Sequence, residues 1–465
     1  MDRREQYKRI FRFLSSAIII GALTAIFAYI WYTHFANNKD LLIKTFFRRG
    51  NYALIALYAV IMLLFYRVFG AHKTGSMRTL EAAYTQVLSV LCTNAITYLQ
   101  LCLIGRWKFL SNLTPILWMT LADLILVILW SFIVRYGYLK LYPPRRLLVV
   151  YGKYSPRSLM EKMASRTDKY TICGSISIER SMDEIKAQIR ETGNVILMDL
   201  PAEVRNHLLK FCFRENIRCY SLPKISDIMI RQSEEVHLFD TSLLLFRNAG
   251  LSAEQQFLKR AFDVVFSLVF LVVSSPFMLI IAAAIKLCDG GPVFFTQERL
   301  TQNGKVFRLY KFRSMYVNKE PTEYCMTRQN DSRITPVGRI IRNIHFDELP
   351  QVLNILKGDM SFVGPRPECP DLAAQYQQIV PEFDFRLKMK AGLTGFAQVY
   401  GKYNTTPLDK LKLDMVYIEN YSFLLDLKLI LLTVKILFQK ENTEGIKAWQ
   451  TTAATKENLE KIGKE

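Results

Sequence analysis

Long apolar runs with charged flanks fill the first third of the chain. Four of them are each near the roughly 20 residues that a helix needs to cross a bilayer core. They predict a bundle of four transmembrane helices within residues 1–140, and they cover residues 13–32, 52–69, 82–104 and 115–136. Asp123 lies inside the fourth run, where it indicates either a function within the membrane or a polar contact in the interior of the bundle.

The pattern changes at Arg145 to short apolar runs that alternate with charged stretches of helical length. This alternation predicts a parallel sheet flanked by helices, a Rossmann-like α/β domain over residues 145–250. Its first strand-to-helix turn, VVYGKYS, lacks the GxGxxG spacing that lets a dinucleotide pyrophosphate approach, so dinucleotide binding is not expected. The sequence leaves two roles open for this domain: a structural one, such as dimerisation, or the binding of a regulatory ligand.

A fifth apolar run, residues 259–287, is long enough to span a bilayer but carries lysines at both ends and a Ser-Pro step in its middle. Proline removes an intrahelical hydrogen bond and bends a helix, and serine hydroxyls can bond the carbonyl that it frees. The run therefore predicts a re-entrant helix that breaks at Ser275 and Pro276 and leaves by the face it entered. An ordinary kinked span is the alternative.

Residues 255–445 predict a compact, basic α/β domain that includes this helix, and residues 446–465 form a polar tail. Two strand-like runs joined by a turn carry Lys311 and Arg313. A solvated basic strand face is the ordinary interpretation of these two charges, and binding of phosphate is the other. Residues 408–438 predict helices that either lie in the membrane plane or are buried in the core.

The stretch RNIHFDELPQVLNILKGDMSFVGPRPE holds the strongest candidate chemistry. It sets Asp347 and Glu348 at the start of a short helix, where unpaired N–H groups and the helix dipole favour phosphate. Arg366, between two prolines, supplies a permanently charged planar fork on a restricted backbone. The alternative is that Asp347 only caps the helix.

Composition narrows the choice of partners. The chain has 465 residues, 51% of them hydrophobic, and a formal net charge of +20. A basic excess suits either nucleic acid or an anionic membrane surface. Because the apolar residues are bunched into spans, we expect membrane lipids and not nucleic acid as the partner. The eight cysteines form no CxxC pair and the five histidines are scattered, so neither a zinc site nor a disulfide framework is indicated.

Lysine and arginine are distributed unevenly beside the four predicted spans. With the N-terminus inside, the inner flanks hold Arg3, Arg4, Lys8, Arg9, Arg12, Arg67, Lys73, Arg78, Arg135, Lys140, Arg145 and Arg146. The outer loops hold Lys39, Lys44, Arg48, Arg49, Arg106 and Lys108. Since positive charge favours the cytoplasmic side, this bias places both ends of the bundle in the cytoplasm.

The order DELPQ, NILKGDMSFVGPRP and AGLTGFAQVYGKYN resembles the signature of bacterial sugar transferases, the monotopic phosphoglycosyl transferases that begin surface-glycan synthesis on a polyprenol carrier. The similarity runs over residues 259–445. It implies that Asp347 is a nucleophile that takes a hexose 1-phosphate from a UDP-sugar and releases UMP, with Glu348 as its dyad partner. Undecaprenyl phosphate then attacks the covalent intermediate, which is the first membrane step of exopolysaccharide, capsule or O-antigen synthesis.

The resemblance also implies the surroundings of this reaction. Magnesium at Asp347 and Glu348 offsets the diphosphate charge, and Lys311, Arg313 and Arg366 are the phosphate-binding cations. The re-entrant helix keeps the catalytic domain on the cytoplasmic side of the bacterial inner membrane. Larger family members share the layout of four spans and a Rossmann-like domain, and a homodimer is a further expectation.

A second glycine-punctuated loop, KAGLTGFAQVYGK, follows the dyad. Its glycines allow close backbone approach to a ligand, and Thr394 and Gln398 bring groups able to read a base or ribose. Family members usually begin this motif Arg-Pro-Gly, where this chain has Lys390 and Ala391 before the glycine, and Tyr400 stands where Asn is common. Two rival functions remain at this stage, a glycosyl transferase that moves sugar without phosphate and a non-catalytic membrane scaffold.

Overall fold

The computed structural model describes residues 7–36, 48–73, 75, 77–107, 113–164, 166–231, 233–246, 250–316, 333–401 and 405–437. The chain divides into two compact units, Met1–Leu222 and Pro223–Glu465. The predicted polar tail, 446–465, lies outside the described residues.

Long apolar helices begin the first unit. They are α1 (Lys8–Ile30), which continues into a π-helical turn (Trp31–Phe35), α2 (Arg48–Val68), α3 (Thr79–Ile104) and α4 (Thr114–Leu141). Each is long and apolar enough to cross a membrane, and each overlaps one of the first four predicted apolar runs. Large side chains such as Phe27, Trp31 and Tyr58 fill the interior between them.

Asp123 is completely buried among these helices. Its Oδ2 accepts a hydrogen bond of 3.0 Å from the amide of Asn94, whose own oxygen accepts one of 3.0 Å from the Tyr58 hydroxyl. The chain of bonds joins α2, α3 and α4, as polar groups commonly do between membrane helices. Of the two readings open from sequence, these contacts favour a structural one.

A parallel four-stranded sheet follows in the first unit, with strand order β2-β1-β3-β4. Its elements are β1 (Arg145–Tyr151), α5 (Arg157–Ala164), β2 (Tyr170–Ser177), α6 (Met182–Thr192), β3 (Asn194–Met198), α7 (Ala202–Arg214) and β4 (Arg218–Ser221). Leu148 and Val150 pack with α6 and α7, whereas Leu147 and Val149 pack with α5. Both faces of the sheet are therefore covered, which explains why its strands are continuous apolar runs.

Gly152 ends the first strand for a local reason. A Cβ placed there would lie 2.0 Å from the backbone oxygen of Asp199, which follows β3. The glycine therefore allows two neighbouring chain segments to approach closely.

The second unit begins with α8 (Ile225–Arg231) and a hairpin of β5 (Glu234–Leu238) and β6 (Thr241–Leu245). The predicted α/β domain extends to residue 250, whereas the division between the units falls after Leu222. The reason is that Ile228 of α8 is buried in the core of the second unit.

The remaining elements include two further pairs of strands, β7 with β8 antiparallel and β9 with β10 parallel. The elements are α9 (Ala253–Asp289), β7 (Phe294–Leu300), β8 (Val306–Phe312), α10 (Pro336–Asn343), α11 (Gln351–Lys357), β9 (Met360–Val363), α12 (Pro370–Ile379), β10 (Ala391–Thr394), α13 (Phe396–Tyr400), α14 (Pro407–Glu419) and α15 (Phe423–Leu437). Leu429 of α15 is fully buried and Leu432 nearly so, and both α14 and α15 contribute to the core.

One face of the long helix α9 packs on the rest of the second unit from Lys259 to Ile285. The packed positions recur three or four residues apart and are Lys259, Asp263, Ser267, Phe270, Ser274, Met278, Ile281 and Ile285. The opposite face is apolar and exposed, for example at Val265, Val272 and Ile280. An apolar face of this size requires a hydrophobic environment.

The Ser-Pro step does not end α9, since helical backbone continues through Pro276. Proline has no N–H to bond the carbonyl four residues earlier, which belongs to Val272. The hydroxyl of Ser275 donates to that carbonyl at 2.9 Å. The carbonyl freed by the proline is therefore bonded by serine, and the helical backbone is continuous at Ser275 and Pro276, where the sequence predicted a break.

Candidate active site

A single turn between α10 and α11 presents the acidic pair. His345 enters the turn in the left-handed region (φ 58°), and Phe346–Glu348 forms one 3₁₀ turn. Phe346 and Leu349 pack against Ile281 and Ile285 of α9. This packing on both sides of the pair holds the turn that carries Asp347 and Glu348 against α9.

Glu348 is held by two cations. Its Oε1 accepts hydrogen bonds of 2.8 Å from Lys311 Nζ, which lies on β8, and 2.8 Å from Arg366 Nη2, which follows β9. Only 12% of the Glu348 side chain is exposed. Burial raises the pKa of Glu348, but the charges of Arg366 and Lys311 more than offset that effect and hold the pKa well below its ordinary value.

Asp347 differs from its neighbour. Its carboxylate has no hydrogen-bond partner among the described residues, and the side chain is half-buried. Burial raises the pKa of Asp347; Lys311 acts in the opposite direction, and the negative charge of Glu348 raises it further, so the net pKa lies above its ordinary value. An unbonded carboxylate beside fixed cations can attack an electrophile or bind a metal. The turn does not use it as a cap, since no side-chain cap bond is present there.

Arg366 reaches Glu348 from a loop held against the second glycine loop. A Cβ at Gly392 would lie 2.1 Å from the backbone nitrogen of Gly364, and one at Gly395 would lie 2.1 Å from its oxygen. These glycines therefore allow one backbone segment to lie on the other. The close approach seen in the structure is to another segment of the same chain, and the approach to a ligand expected from the sequence stays a prediction.

The other predicted binding residues lie apart from the Glu348 contacts. Arg313 is buried and donates to the carbonyl of Pro292 at 2.6 Å. Thr394 is buried, with its hydroxyl 2.6 Å from that of Thr433, and the Gln398 amide donates to the carbonyl of Leu393. Their predicted roles in binding phosphate or nucleotide stay predictions.

A buried polar cluster beside the Arg366 loop escaped the sequence analysis. Arg386 donates from Nε to Asp414 at 2.9 Å and from Nη1 to Glu368 at 3.3 Å, and Glu368 also pairs with Lys410. Burial raises the pKa of Glu368, but Lys410 and Arg386 bring it down to about 2. The sequence feature that could have indicated this cluster is Asp414, a charged residue on the apolar face of a predicted helix.

The dyad fits a magnesium ion. Magnesium in proteins is usually bound by one or two carboxylates together with substrate phosphates. Asp347 leaves its oxygens without a protein partner among the described residues, and Glu348 is adjacent. These two carboxylates are therefore the residues that would hold the ion.

This arrangement defines a class of protein. Such a protein has long apolar helices, together with carboxylates and cations that are placed to act on phosphate groups. The model of the bacterial sugar transferase family matches residues 254–440, which include every residue of the dyad and its cations. The chain belongs to the bacterial sugar transferase family. The resemblance stated from sequence motifs is confirmed.

Three relatives illustrate the match. The UDP-N-acetylgalactosamine-undecaprenyl-phosphate N-acetylgalactosaminephosphotransferase of Aeromonas hydrophila is 32% identical over 63% of this chain and 67% of its own. The UDP-glucose:undecaprenyl-phosphate glucose-1-phosphate transferase of Escherichia coli (strain K12) is 40% identical over 46% of this chain and 47% of its own. The exopolysaccharide production protein PSS of Rhizobium leguminosarum bv. phaseoli is 41% identical over 38% of this chain and 93% of its own.

The matched part spans about half the length of the Escherichia coli relative and of two further relatives, from Klebsiella pneumoniae and Streptococcus agalactiae. Two of the three names describe a sugar phosphotransferase that acts on undecaprenyl phosphate, which is the class of enzyme that the sequence predicts.

Proposed function

We propose that this protein transfers a hexose 1-phosphate from a UDP-sugar to undecaprenyl phosphate through a covalent intermediate on Asp347, with release of UMP. One observation carries the proposal: Asp347 has no partner among the described residues and lies beside Glu348, which binds Lys311 and Arg366 at 2.8 Å each. The relatives are named for the same acceptor and for transfer of a sugar phosphate.

The two steps are displacements at one phosphorus atom. First, an oxygen of Asp347 attacks the phosphorus that carries the sugar, the bond from that phosphorus to the bridging oxygen breaks, and UMP leaves. Then an oxygen of undecaprenyl phosphate attacks the same phosphorus, and Asp347 leaves as a carboxylate. Lys311 and Arg366 offset the charge that accumulates on the phosphoryl oxygens.

Asp347 and Glu348 would hold magnesium together with the diphosphate of the donor. The bound ion would neutralise part of the diphosphate charge and so favour approach of an anionic nucleophile. Lys311 and Arg366 fix Glu348, and the oxygen of Asp347 that does not bind the ion would be the one that attacks.

The reaction would take place at the cytoplasmic face of the bacterial inner membrane, with α9 as a re-entrant element. A straight helix of its length would measure about 55 Å, more than the roughly 30 Å of a bilayer core. Residues of α9 from Phe266 to Ile285, which include its middle, pack against other parts of the same unit. A spanning helix would instead leave its middle in lipid, away from a domain on one side of the membrane.

The product would be the first lipid-linked intermediate of an exopolysaccharide, capsule or O-antigen, and a relative is named for exopolysaccharide production. A homodimer formed through the first unit is part of the same proposal.

The test is a product assay on purified protein in lipid nanodiscs with undecaprenyl phosphate and magnesium. A panel of UDP-glucose, UDP-galactose, UDP-N-acetylglucosamine and UDP-N-acetylgalactosamine is supplied, and nucleotide products are separated. We expect UMP with one or two of these donors. Release of UDP would indicate transfer of sugar without phosphate, and no nucleotide product with any of them would support a scaffold.

A further inference from the structure

Every carbonyl group of the loop that carries Arg366, residues 365 to 368, takes part in a hydrogen bond. Two of its residues are prolines and have no N–H to donate. Four consecutive carbonyls, those of residues 365 to 368, each accept a hydrogen bond. The donors are the backbone N–H of Gly392 at 2.9 Å, Arg386 Nη2 at 2.9 Å, Arg299 Nη1 at 3.1 Å and the backbone N–H of Leu300 at 2.9 Å.

Buried contacts hold the Arg386 side chain in place. Its side chain is 3% exposed, and its guanidinium bonds Asp414, whose side chain is 1% exposed, and Glu368. The third contact, from Nη2, goes to the carbonyl of Arg366 itself. A buried ion pair contributes little net stability compared with apolar packing. The effect of the ion pairs here is to fix the direction in which the Arg386 guanidinium donates.

Packing alone does not fix the loop. Pro365, Arg366 and Pro367 border a cavity of about 150 Å³ that is lined mostly by apolar side chains. On that side the loop has room to move, so its position depends on the bonds to its carbonyls. A shift of about 1 Å at a catalytic group can lower a rate about 100-fold.

We propose that Arg386 and Arg299 are positioning residues that hold Arg366 against Glu348 and thereby set the geometry of the dyad. They act through the backbone of the loop, because they bond the carbonyls of Arg366 and Pro367 and, among the described residues, make no hydrogen bond to Asp347 or Glu348. The inference rests on the proposed function only in that its kinetic consequence is a slower release of UMP.

A double-mutant comparison tests this inference. Arg386→Lys is measured in the wild-type background and in an Arg366→Ala background, with UMP release as the readout. If Arg386 acts through Arg366, Arg386→Lys should lower kcat about tenfold or more in the wild type and change the residual rate of Arg366→Ala by less than twofold. An equal loss in both backgrounds would show a general structural role and overturn the proposal, as would unchanged kcat in folded Arg386→Lys.

Three further measurements keep the outcomes distinct. If Arg386→Lys does not fold, Arg299→Lys, which removes the neighbouring contact from a less buried side chain, undergoes the same comparison. Arg339→Lys is the matched control, because Arg339 is exposed on α10 and has no side-chain partner among the described residues. It should leave kcat unchanged.

The last measurement does not depend on activity. Modification of Arg366 by phenylglyoxal, mapped by mass spectrometry, should be faster in Arg386→Lys than in the wild type or Arg339→Lys, because Arg366 then leaves Glu348. Equal modification rates would overturn the positioning role. Absence of UMP release from wild-type protein would refute the proposed function, and the modification assay would still decide the positioning role.

Discussion

At the scale of single residues, two adjacent carboxylates lie in different environments. Glu348 has two cationic partners and a lowered pKa, whereas Asp347 has a raised pKa and no partner among the described residues. Paired acidic groups whose pKa values are pushed apart commonly have separate roles. Here Glu348 organises the cations and Asp347 is the candidate nucleophile.

Asp347→Asn should abolish turnover and leave folding near wild type, because the amide keeps the shape of the carboxylate but loses the charge that attacks phosphorus. Rates of UMP release and thermal unfolding of the purified variants check both parts. Asp371→Asn, at an exposed position in α12, is the control and should keep full activity. Near-normal activity in Asp347→Asn would exclude the covalent mechanism, and a sugar phosphate found on a peptide containing Asp347 would support it.

The raised pKa of Asp347 predicts the acid limb of the pH profile. A protonated Asp347 cannot attack, so kcat/KM should fall as the pH drops through a value above that of an ordinary aspartate, about 3.9. Glu348→Gln removes a negative charge and leaves Lys311 and Arg366 uncompensated, and both changes lower the pKa of Asp347. The acid limb of the residual activity should therefore move to lower pH, and movement to higher pH would contradict the assignment.

Arg366→Lys should lower kcat/KM at least tenfold, which corresponds to about 1.4 kcal/mol of transition-state stabilisation. Arg366 donates one N–H to Glu348, and 42% of its side chain is exposed. Its remaining donors are therefore available to a phosphate. A lysine ammonium has no planar fork with which to serve both groups. Steady-state kinetics of Arg366→Lys and Arg339→Lys make the comparison, and equal activity would assign Arg366 a structural role.

At the scale of elements, α9 is both the apolar helix of the second unit and a support of the candidate active site. Near its first turns, Lys259 donates to Asp426 at 2.6 Å and to the carbonyl of Val363 at 2.9 Å, one residue before the loop of Arg366 begins. In its second half it packs against Phe346, which precedes the dyad. The same helix thus supports both sides of the dyad.

Cysteine labelling can decide the course of α9 in the membrane. Single cysteines at Ala253, the first residue of α9, and at Asn303, beyond its end, are introduced into a chain without its eight native cysteines. Both positions are exposed. A re-entrant helix leaves both on the cytoplasmic side, so both should resist an impermeant thiol reagent on intact cells and react after lysis. Labelling of Asn303 alone in intact cells would establish a span. Pro276→Ala should lower activity and give mixed labelling, because a straighter helix favours spanning.

At the scale of the whole molecule, the dyad, its cations and α9 all lie in the second unit. The Rhizobium relative matches over 93% of its length with only 38% of this chain. That relative therefore consists almost entirely of the matched part.

The fragment Pro223–Glu465 should consequently insert in membranes and release UMP within about tenfold of the rate of the whole chain. Assays of nanodisc preparations at equal protein concentration compare the two, and the fragment with Asp347→Asn serves as the inactive control. A folded, membrane-bound fragment without activity would show that the first unit is required for catalysis.

The amino-acid sequence by itself determined the elements and the candidate chemistry. Apolar runs of about 20 residues specify the long helices, because their length and composition alone decide whether a bilayer accepts them. Continuous apolar strands separated by helical patterns likewise specify the buried parallel sheet. The order of the motifs identified Asp347, Glu348 and Arg366, since those residues lie in one contiguous signature.

The tertiary structure alone decided which of these groups meet. Lys311 reaches Glu348 although 37 positions separate them, and Arg386 reaches the carbonyl of Arg366 from 20 positions away. Gly392 and Gly395 allow close contact with Gly364, because the two loops are packed backbone to backbone. Local patterns report the state of a short segment, whereas such contacts depend on how distant segments pack, and that information lies in no single stretch of the chain.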